Sequence, residues 1–327
     1  MQYRRFGNSG LKVSRIGLGC YGMSGAYGAA DEAESIATIH RAIELGVNLL
    51  DTSASYGQGH NHRLIGRAVR DRRDKVFIHS KTGTIRGPGG TSIAEGSGTP
   101  ERLRATCEES LRNLGIDTLD VFCLSRVDPS VPIEESVGGM ARLVEAGKTR
   151  FIGLSECAAA TLRRAAKVHP PTSLQYEYSL WSRDPEGAHL QACRDLDLAL
   201  MAYAPLGYGL LTGRMSQADA EADTRKKFPR FQGDNFAANR RRVEAIEDIA
   251  ASKRATAAQI CLAWLLAKDE RVFPIPGSKS RRHLDENLAA AEIALSPADI
   301  AALDAAFPPD AIAGTRYPAD GMKRVNL

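Results

Sequence analysis

Between residues 16 and 278, short apolar runs alternate with longer stretches of helical spacing. Asn48-Leu49-Leu50, Val76-Phe77-Ile78, Val121-Phe122-Cys123-Leu124 and Phe151-Ile152-Gly153-Leu154 predict strands, as do Ser173-Leu174, Leu200-Met201-Ala202 and Val272-Phe273-Pro274-Ile275. Ile16 to Gly19 predicts the first strand of this set. Asp31 to Leu45 has helical spacing, with Ile36, Ile39, Ala42 and Ile43 on one face and Gly46 as the stop. Helices are predicted after later strands at His62 to Arg70, Pro100 to Leu114, Ile133 to Ala146, Ala158 to Lys167 and Pro185 to Leu196. Thr99-Pro100 supplies a cap residue, then proline at the first helical position. Ahead of the set, Tyr3 to Phe6 and Lys12 to Arg15, joined by Asn8-Ser9-Gly10, predict a hairpin. Gly207 to Ala238 lacks a clear period and predicts a long loop. Helices at Asn239 to Lys253 and Thr256 to Lys268, the eighth strand, helices at Arg281 to Ala291 and Pro297 to Phe307, and an irregular tail complete the pattern.

Eight strand–helix units predict an α/β fold of the (β/α)8 barrel type, with an N-terminal β-hairpin and extra C-terminal helices, as one domain over residues 1–327. The competing doubly wound sheet wants a glycine-rich turn after its first strand. Gly17-Leu18-Gly19-Cys20-Tyr21-Gly22 has the letters of that turn, but no helix starts at its third glycine and no acidic residue follows at the usual spacing. We read these glycines as a close approach of backbone to a ligand, or as turn residues, and place Gly19, Cys20 and Tyr21 among the candidate cofactor contacts.

A length of 327 residues suits one large barrel, and 43% hydrophobic with 25% charged residues is ordinary for a soluble protein. The net charge of +4 is small, and Arg70 to Lys75 and Arg240-Arg241-Arg242 read as solvated helix ends, so no nucleic-acid partner is expected. No apolar stretch approaches the roughly 20 residues of a membrane span. No signal-peptide core follows Met1-Gln2-Tyr3-Arg4-Arg5. Cys20, Cys107, Cys123, Cys157, Cys193 and Cys261 are scattered singly, which predicts reduced thiols, no metal and a cytoplasmic location. Cys20 and Cys123 lie on or beside strands entering the proposed site, where they fill space or are oxidation-sensitive.

Polar residues recur just after the predicted strands. Asp51 and Tyr56 follow the second, Lys81 the third, Ser125 the fourth and Ser155 the fifth; Gln175, Tyr203, and Gly277 with Ser278 follow the others. Barrels carry their chemistry at that end of the strands. A tyrosine hydroxyl has a reference pKa near 10, and a lysine ammonium within hydrogen-bond reach lowers it. An aspartate paired with the lysine keeps it charged and oriented. Asp51, Tyr56 and Lys81 supply these roles; the competing reading is a buried ion pair with a tyrosine capping the barrel.

Asp51-Thr52-Ser53-Ala54-Ser55-Tyr56-Gly57, Lys81, Gly153-Leu154-Ser155-Glu156, Gln175-Tyr176-Glu177-Tyr178-Ser179 and Ile275-Pro276-Gly277-Ser278-Lys279 with Glu286-Asn287 occur in the order seen in a known family. With Arg5-Phe6-Gly7 and Gly10-Leu11-Lys12-Val13-Ser14 of the opening hairpin, the chain resembles the aldo-keto reductase superfamily over essentially its whole length. The resemblance implies a barrel that binds NADP(H) or NAD(H) and moves hydride between the nicotinamide and a carbonyl or alcohol carbon. By the same resemblance Tyr56 is the general acid or base, tuned by Lys81 and Asp51. Tyr203 stacks on the nicotinamide, and Ser155 and Gln175 hold its carboxamide. Leu206, Gly207, Gly209 and Leu211 line the pyrophosphate. Gly277 is a further cofactor contact, Ser278 and Lys279 with Arg282 sit at an adenosine 2′-phosphate, and Glu286 and Asn287 at the adenine. Without it, Lys279, Arg281 and Arg282 form a basic helix start, the reverse of the dipole preference, which favours an anionic ligand there.

The chain departs from the family pattern at three places. Ser125 stands where the family usually has a fourth catalytic residue, a histidine, and none of the seven histidines fits that position. Serine donates a hydrogen bond but does not titrate near neutrality. The segment Leu124-Ser125-Arg126-Val127-Asp128-Pro129 and the Gly-Leu-Ser-Glu run are similar to a branch that includes fungal pyridoxal reductases. This points to pyridoxal or another aromatic aldehyde, or the corresponding alcohol, as substrate. His62 stands where relatives often have glutamate; the helical pattern points it away from the site, in a surface or packing role. His60, nearer Tyr56, is an alternative stand-in for the missing histidine. Glu156 replaces an amide, and His283 stands where an arginine often grips the 2′-phosphate, so NADPH is favoured only modestly over NADH.

Two functions follow. One is an NAD(P)H-dependent oxidoreductase on an aldehyde, ketone or alcohol, its missing histidine shifting preference toward alcohol or hemiacetal oxidation. The other is a cofactor-binding sensor or partner subunit with little turnover. The segment Thr84 to Gly98, with five glycines, is expected as a mobile pocket wall, with Trp181, Tyr178 and Tyr27 as an aromatic wall. The oligomeric state is left open.

Overall fold

A computed structural model describes residues 1–82, 85–86, 92–93 and 96–327. The chain opens with β1 (Tyr3–Arg5) and β2 (Lys12–Ser14), an antiparallel hairpin. Then come β3 (Leu18–Gly19), α1 (Glu32–Glu44), β4 (Leu49–Ser53), α2 (His60–Ala68) and β5 (Phe77–Lys81). A two-residue ladder joins β6 (Ile85–Arg86) to β7 (Ser92–Ile93). There follow α3 (Pro100–Leu114), β8 (Leu119–Leu124), α4 (Ile133–Glu145), β9 (Thr149–Ser155), α5 (Ala159–Val168), β10 (Ser173–Glu177), α6 (Ala188–Asp195) and β11 (Ala199–Tyr203). The last part carries α7 (Gln217–Glu221), α8 (Asp234–Arg242), α9 (Glu244–Lys253), α10 (Ala257–Lys268), β12 (Val272–Pro274), α11 (Arg281–Ala289), α12 (Pro297–Ala306) and α13 (Ala319–Met322).

Eight strands pair in parallel in the order β12-β11-β10-β9-β8-β5-β4-β3. The two edges meet: Gly17 N donates to Pro274 O (3.0 Å), Gly19 N to Pro276 O (3.1 Å) and Ser278 N to Gly19 O (3.4 Å). A Cβ on Gly19 would lie 2.8 Å from Ile275 O, so the seam needs glycine there. The result is the expected (β/α)8 barrel.

Side chains alternate between the barrel interior and the helix layer. On β4, Leu49 points in and Leu50 out; on β5, Phe77 in and Ile78 out. Leu49, Phe77, Val121, Met201 and Phe273 form the interior cluster, while Leu50, Ile78, Phe122, Ile152, Leu174 and Leu200 pack under the helices. The hairpin closes the far end: Phe6, fully buried, lies 5.0 Å from Phe77 and 5.2 Å from Phe273, ring to ring. Continuing inward every second residue, β4 leads from Leu49 to Asp51 and β5 from Phe77 through His79 to Lys81. The interior thus changes from apolar to ionic within one strand length.

Two expectations are corrected. The segment expected as a loop from Gly207 to Ala238 carries short helices, because Ser216 and Asp219 form a reciprocal capping box that starts α7 and α8 begins at Asp234. The single helix expected from Asn239 is instead two, α8 and α9. The expected pocket wall from Thr84 to Gly98 falls largely outside the described residues. His62 takes the packing role and not a surface one: it is fully buried on α2, with Nε2 2.9 Å from Ser80 Oγ on the outward face of β5. Among the described residues no helix is long and apolar enough to cross a membrane.

Phe6→Ala is expected to lower the unfolding free energy by about 3–5 kcal/mol, measured by denaturant titration. Burial pushes the His62 imidazole down to about 3. The unfolded chain therefore binds a proton near its ordinary pKa of about 6.5 that the fold refuses. Stability is complete above that pH and falls as pH drops toward about 3, by about 2 kcal/mol at pH 5. His62→Gln should flatten this acid limb in unfolding curves collected from pH 7 to pH 4.

Candidate functional site

At the C-terminal end of the strands the Asp51 carboxylate is held from three sides. Lys81 Nζ approaches its two oxygens at 2.8 and 2.7 Å. Gln175 Nε2 donates to Oδ1 at 2.7 Å, and His79 Nδ1 lies 3.2 Å from the same oxygen. Burial alone would raise the carboxyl pKa, but the Lys81 charge and the His79 and Lys81 hydrogen bonds outweigh it and hold Asp51 below its ordinary range. His79 is itself fully buried. Desolvation outweighs the pull of Asp51 and lowers its pKa, so the ring is neutral. Nδ1–H then donates to Asp51, which leaves Nε2 to accept from Ser173 Oγ at 3.2 Å. Gly153 makes this possible: a Cβ there would come 2.6 Å from Ser173 Oγ and 3.4 Å from His79 Nε2.

Tyr56 sits in the tight turn after β4, where Gly57 and Gly59 take positive φ. Its ring lies 4.5 Å from that of Tyr21, and Lys81 Nζ stands 5.2 Å from its centroid. The ammonium thus faces the ring, with its hydrogen bonds directed at Asp51. Burial, then the nearby Asp51 charge, push the Tyr56 hydroxyl well above its ordinary value, with Arg126 opposing. This reverses the expectation that Lys81 lowers it: the lysine charge is already neutralised by Asp51. Ser125, buried at the end of β8, donates its backbone N–H to Thr82 Oγ1 at 3.1 Å.

These residues open onto a cavity of about 780 Å³. Asp51, Tyr56, Lys81 and Ser125 line it. So do Gly19, Tyr21, Ser155, Gln175, Tyr203 and Leu206, and further along Gly209, Gly277, Ser278, Lys279, Glu286 and Asn287. Four residues expected at the cofactor do not line it. Cys20 is buried with its thiol 3.7 Å from Leu18 O, and burial raises its pKa. Gly207 is a packing glycine, since a Cβ would meet the Trp181 ring at 2.8 Å. Leu211 is fully buried in the core. Arg282 turns to His283 Nε2, 3.2 Å away on the exposed side.

The basic helix start is also spent within the protein. Lys279 Nζ donates to Tyr27 O (2.8 Å), Gly28 O (3.4 Å) and Ala29 O (2.5 Å), and Arg281 pairs with Glu34. Gln175 has given one of its two amide N–H groups to Asp51, and its carbonyl oxygen is the acceptor it can offer a ligand. Trp181 and Tyr178 are buried off the cavity, so of the expected aromatic wall Tyr27 alone lines it. His60 bonds Ser24 Oγ at 2.9 Å and does not line the cavity, so it does not stand in for a histidine at Ser125. Glu156 lies off the cavity too. Held at φ +56, it pairs with Arg316 (2.5 Å) and accepts from Tyr203 Oη (2.8 Å) and Glu177 N (2.9 Å).

Arg126, Tyr208, Tyr317 and Arg324 line the cavity without having been expected there. Arg126 directly follows the strand-end Ser125, a signal that was available. Tyr317 and Arg324 lie on the tail, which is anchored by Asn326 N to Glu156 O (2.7 Å) and Ala158 N to Leu327 O (2.8 Å); no local pattern marks them.

The sequence profile of the Aldo/keto reductase family matches residues 15–307. A probable aldo-keto reductase 1 of Glycine max is 39% identical over 317 residues, covering 96% of this chain and 91% of that protein. Among solved structures, a thermostable aldo-keto reductase in complex with the inhibitor epalrestat is 30% identical, covering 94% of this chain and 100% of that one, with a TM-score of 0.74. The glycerol dehydrogenase of Gluconobacter oxydans is 25% identical, covering 97% and 99%, with a TM-score of 0.83. An aldo-keto reductase from Klebsiella pneumoniae in complex with NADPH is 28% identical, covering 97% and 99%, with a TM-score of 0.73. The chain belongs to the aldo/keto reductase family, whose members use NADPH to reduce small carbonyl compounds.

His79→Leu leaves Asp51 one donor short in a buried setting. It is expected to cost about 1–3 kcal/mol of stability by denaturant titration. The double change His79→Leu/Ser173→Ala should cost less than the two single changes added together, because Ser173 then loses no partner.

Proposed function

We propose that this member of the aldo/keto reductase family reduces aldehydes with Tyr56 as proton donor, pyridoxal and other aromatic aldehydes being the first candidates, and that the reverse reaction takes the corresponding alcohol. The observation that carries this is that Tyr56 and Ser125 line one cavity, with the Tyr56 hydroxyl pKa raised so that it stays protonated through the neutral range. A proton donor for a developing alkoxide must hold its proton until the carbonyl carbon is attacked. The same shift makes Tyr56 a poor base near neutrality, which favours reduction over the oxidation suggested by the missing histidine.

The cavity fits NADPH on its own terms. Ser155 Oγ and Glu286 Oε1 are buried with no hydrogen-bond partner among the described residues, and both belong to its lining residues. NADPH supplies a hydride when bound. Ser155 and the Gln175 carbonyl oxygen would hold the nicotinamide carboxamide. Tyr203, its hydroxyl anchored on Glu156, would present its ring to the nicotinamide. Gly209 and Gly277 would let backbone approach the phosphates, and Ser278, Asn287 and Glu286 would hold the adenosine. Lys279 would exchange its carbonyl partners for a 2′-phosphate. Asp51, ionised, would keep Lys81 charged and fixed against the Tyr56 ring, and so hold the ring in place beside the carbonyl. Ser125 would donate a hydrogen bond to the carbonyl oxygen where a histidine is usual. We place the protein in the cytoplasm as a single domain over residues 1–327; its six cysteines are free and buried, in keeping with a reducing compartment.

Tyr56→Phe is expected to cut NADPH-dependent reduction of pyridoxal and 4-nitrobenzaldehyde by at least about 100-fold, while fluorescence titration still shows NADPH binding. Undiminished turnover in the variant would remove Tyr56 as the donor. Binding without turnover in the unaltered protein would leave a cofactor-binding sensor.

A further inference from the structure

We propose that Arg126 and Arg324 form an anion-binding subsite at the substrate end of the cavity, so that the preferred aldehydes are flat, ring-bearing molecules carrying a carboxylate or phosphate. This rests on the reading of the cavity as an aldehyde site.

Arg126 follows Ser125, the residue that meets the carbonyl in that reading, and its side chain is only partly buried. Its hydrogen-bond partners are neutral, Ser125 O at 2.7 Å and Tyr317 Oη at 3.5 Å, and the Tyr317 ring centroid lies 6.0 Å away; the nearest negative charge is that of Glu156. The carboxylates nearest this wall are committed elsewhere. Glu156 is ion-paired with Arg316, and Glu177 with Arg230 at 3.3 Å, all four side chains being buried. Arg126 is therefore a third guanidinium beside two carboxylates, and the surplus charge lies at the cavity wall.

Arg324 repeats the pattern from the tail. Its backbone N–H donates to Gly321 O at 3.1 Å, but its guanidinium has no carboxylate partner among the described residues. The nearby acid, Asp320, pairs with Lys323 at 3.2 Å. Of the other carboxylates lining the cavity, Asp51 is matched by Lys81 and Glu286 by Arg214, while Asp219 caps α7. With these carboxylates committed to ion pairs and caps, both guanidinium groups have donors left for the cavity, and a guanidinium is shaped for two-point contact with carboxylate or phosphate. An anionic substrate would supply the missing countercharge. Two groups of contacting rings, Tyr21 with Tyr27 and Tyr56, and Phe228 with Tyr208 and Tyr317, line the cavity and suit a planar aromatic substrate.

The test measures kcat/KM with NADPH for two matched pairs: 4-carboxybenzaldehyde against methyl 4-formylbenzoate, and pyridoxal 5′-phosphate against pyridoxal. The unaltered protein should favour the charged member of at least one pair tenfold or more, chiefly through KM, and the favoured pair tells carboxylate from phosphate. Arg126→Met and Arg324→Met should each cut that preference by tenfold or more, and Arg126→Lys should keep part of it. Equal rates within both pairs, or a preference the substitutions leave untouched, would overturn the subsite. So would a loss of NADPH affinity in Arg324→Met with the preference intact, since the arginine would then serve the cofactor. If no aldehyde is reduced, the reductase reading fails, and binding of benzoate against benzamide to the NADPH complex still decides the subsite. Arginine-dependent benzoate binding sustains it; indifference between the two ligands removes it.

Discussion

The ion pair between Asp51 and Lys81 organises the mouth of this barrel. Both side chains are nearly excluded from solvent, so each charge depends on the other, and removing either would strand a buried ion at a cost of about 3–5 kcal/mol. The geometry around them follows from that dependence. Gln175 and His79 fill the remaining acceptor positions of Asp51 from two other strands, and Ser173 and Gly153 shape the space behind His79. Three strands, β4, β5 and β10, are thereby tied to one carboxylate.

The pair can exist only because the barrel interior changes character along its axis. Phe6 and its aromatic neighbours close one end without polar atoms, and the inward-facing residues two and four positions further on are His79 and Lys81. The glycines at the seam allow the first and last strands to meet near the same level, which brings Gly277 and Ser278 beside the ionic layer. Tyr56 then stands above a neutralised lysine, and its raised hydroxyl pKa is a property of that closed arrangement.

The C-terminal tail supplies the second organising feature. Glu156 adopts a left-handed backbone conformation that costs about 1–3 kcal/mol at a non-glycine residue. Its carboxylate recovers that cost by joining Arg316, Tyr203 and the backbone of Glu177. Through it, the end of β9 is tied to a residue 160 positions later, and Tyr317 and Arg324 come to line the cavity.

Much of this was legible in the chain. Apolar runs and helical spacing are local properties, so the eight strand–helix units, the hairpin and the strand-end positions of Asp51, Lys81, Ser125 and Ser155 could be read directly. The capping box at Ser216 and Asp219 is also a local signal. What could not be read depends on distance in the chain. Whether Lys81 meets the Tyr56 hydroxyl or its ring is decided by where Asp51 holds the ammonium. Cys20, Gly207 and Leu211 were placed off the cavity by packing against Leu18, Trp181 and the core. Nothing local to His79 marks it; strand pairing sets it opposite Asp51. Sequence by itself determined which residues face the barrel interior, because side-chain alternation is fixed by covalent geometry. Tertiary structure alone decided which of them bear charge together, because desolvation and ion pairing act only between groups that folding has brought into contact.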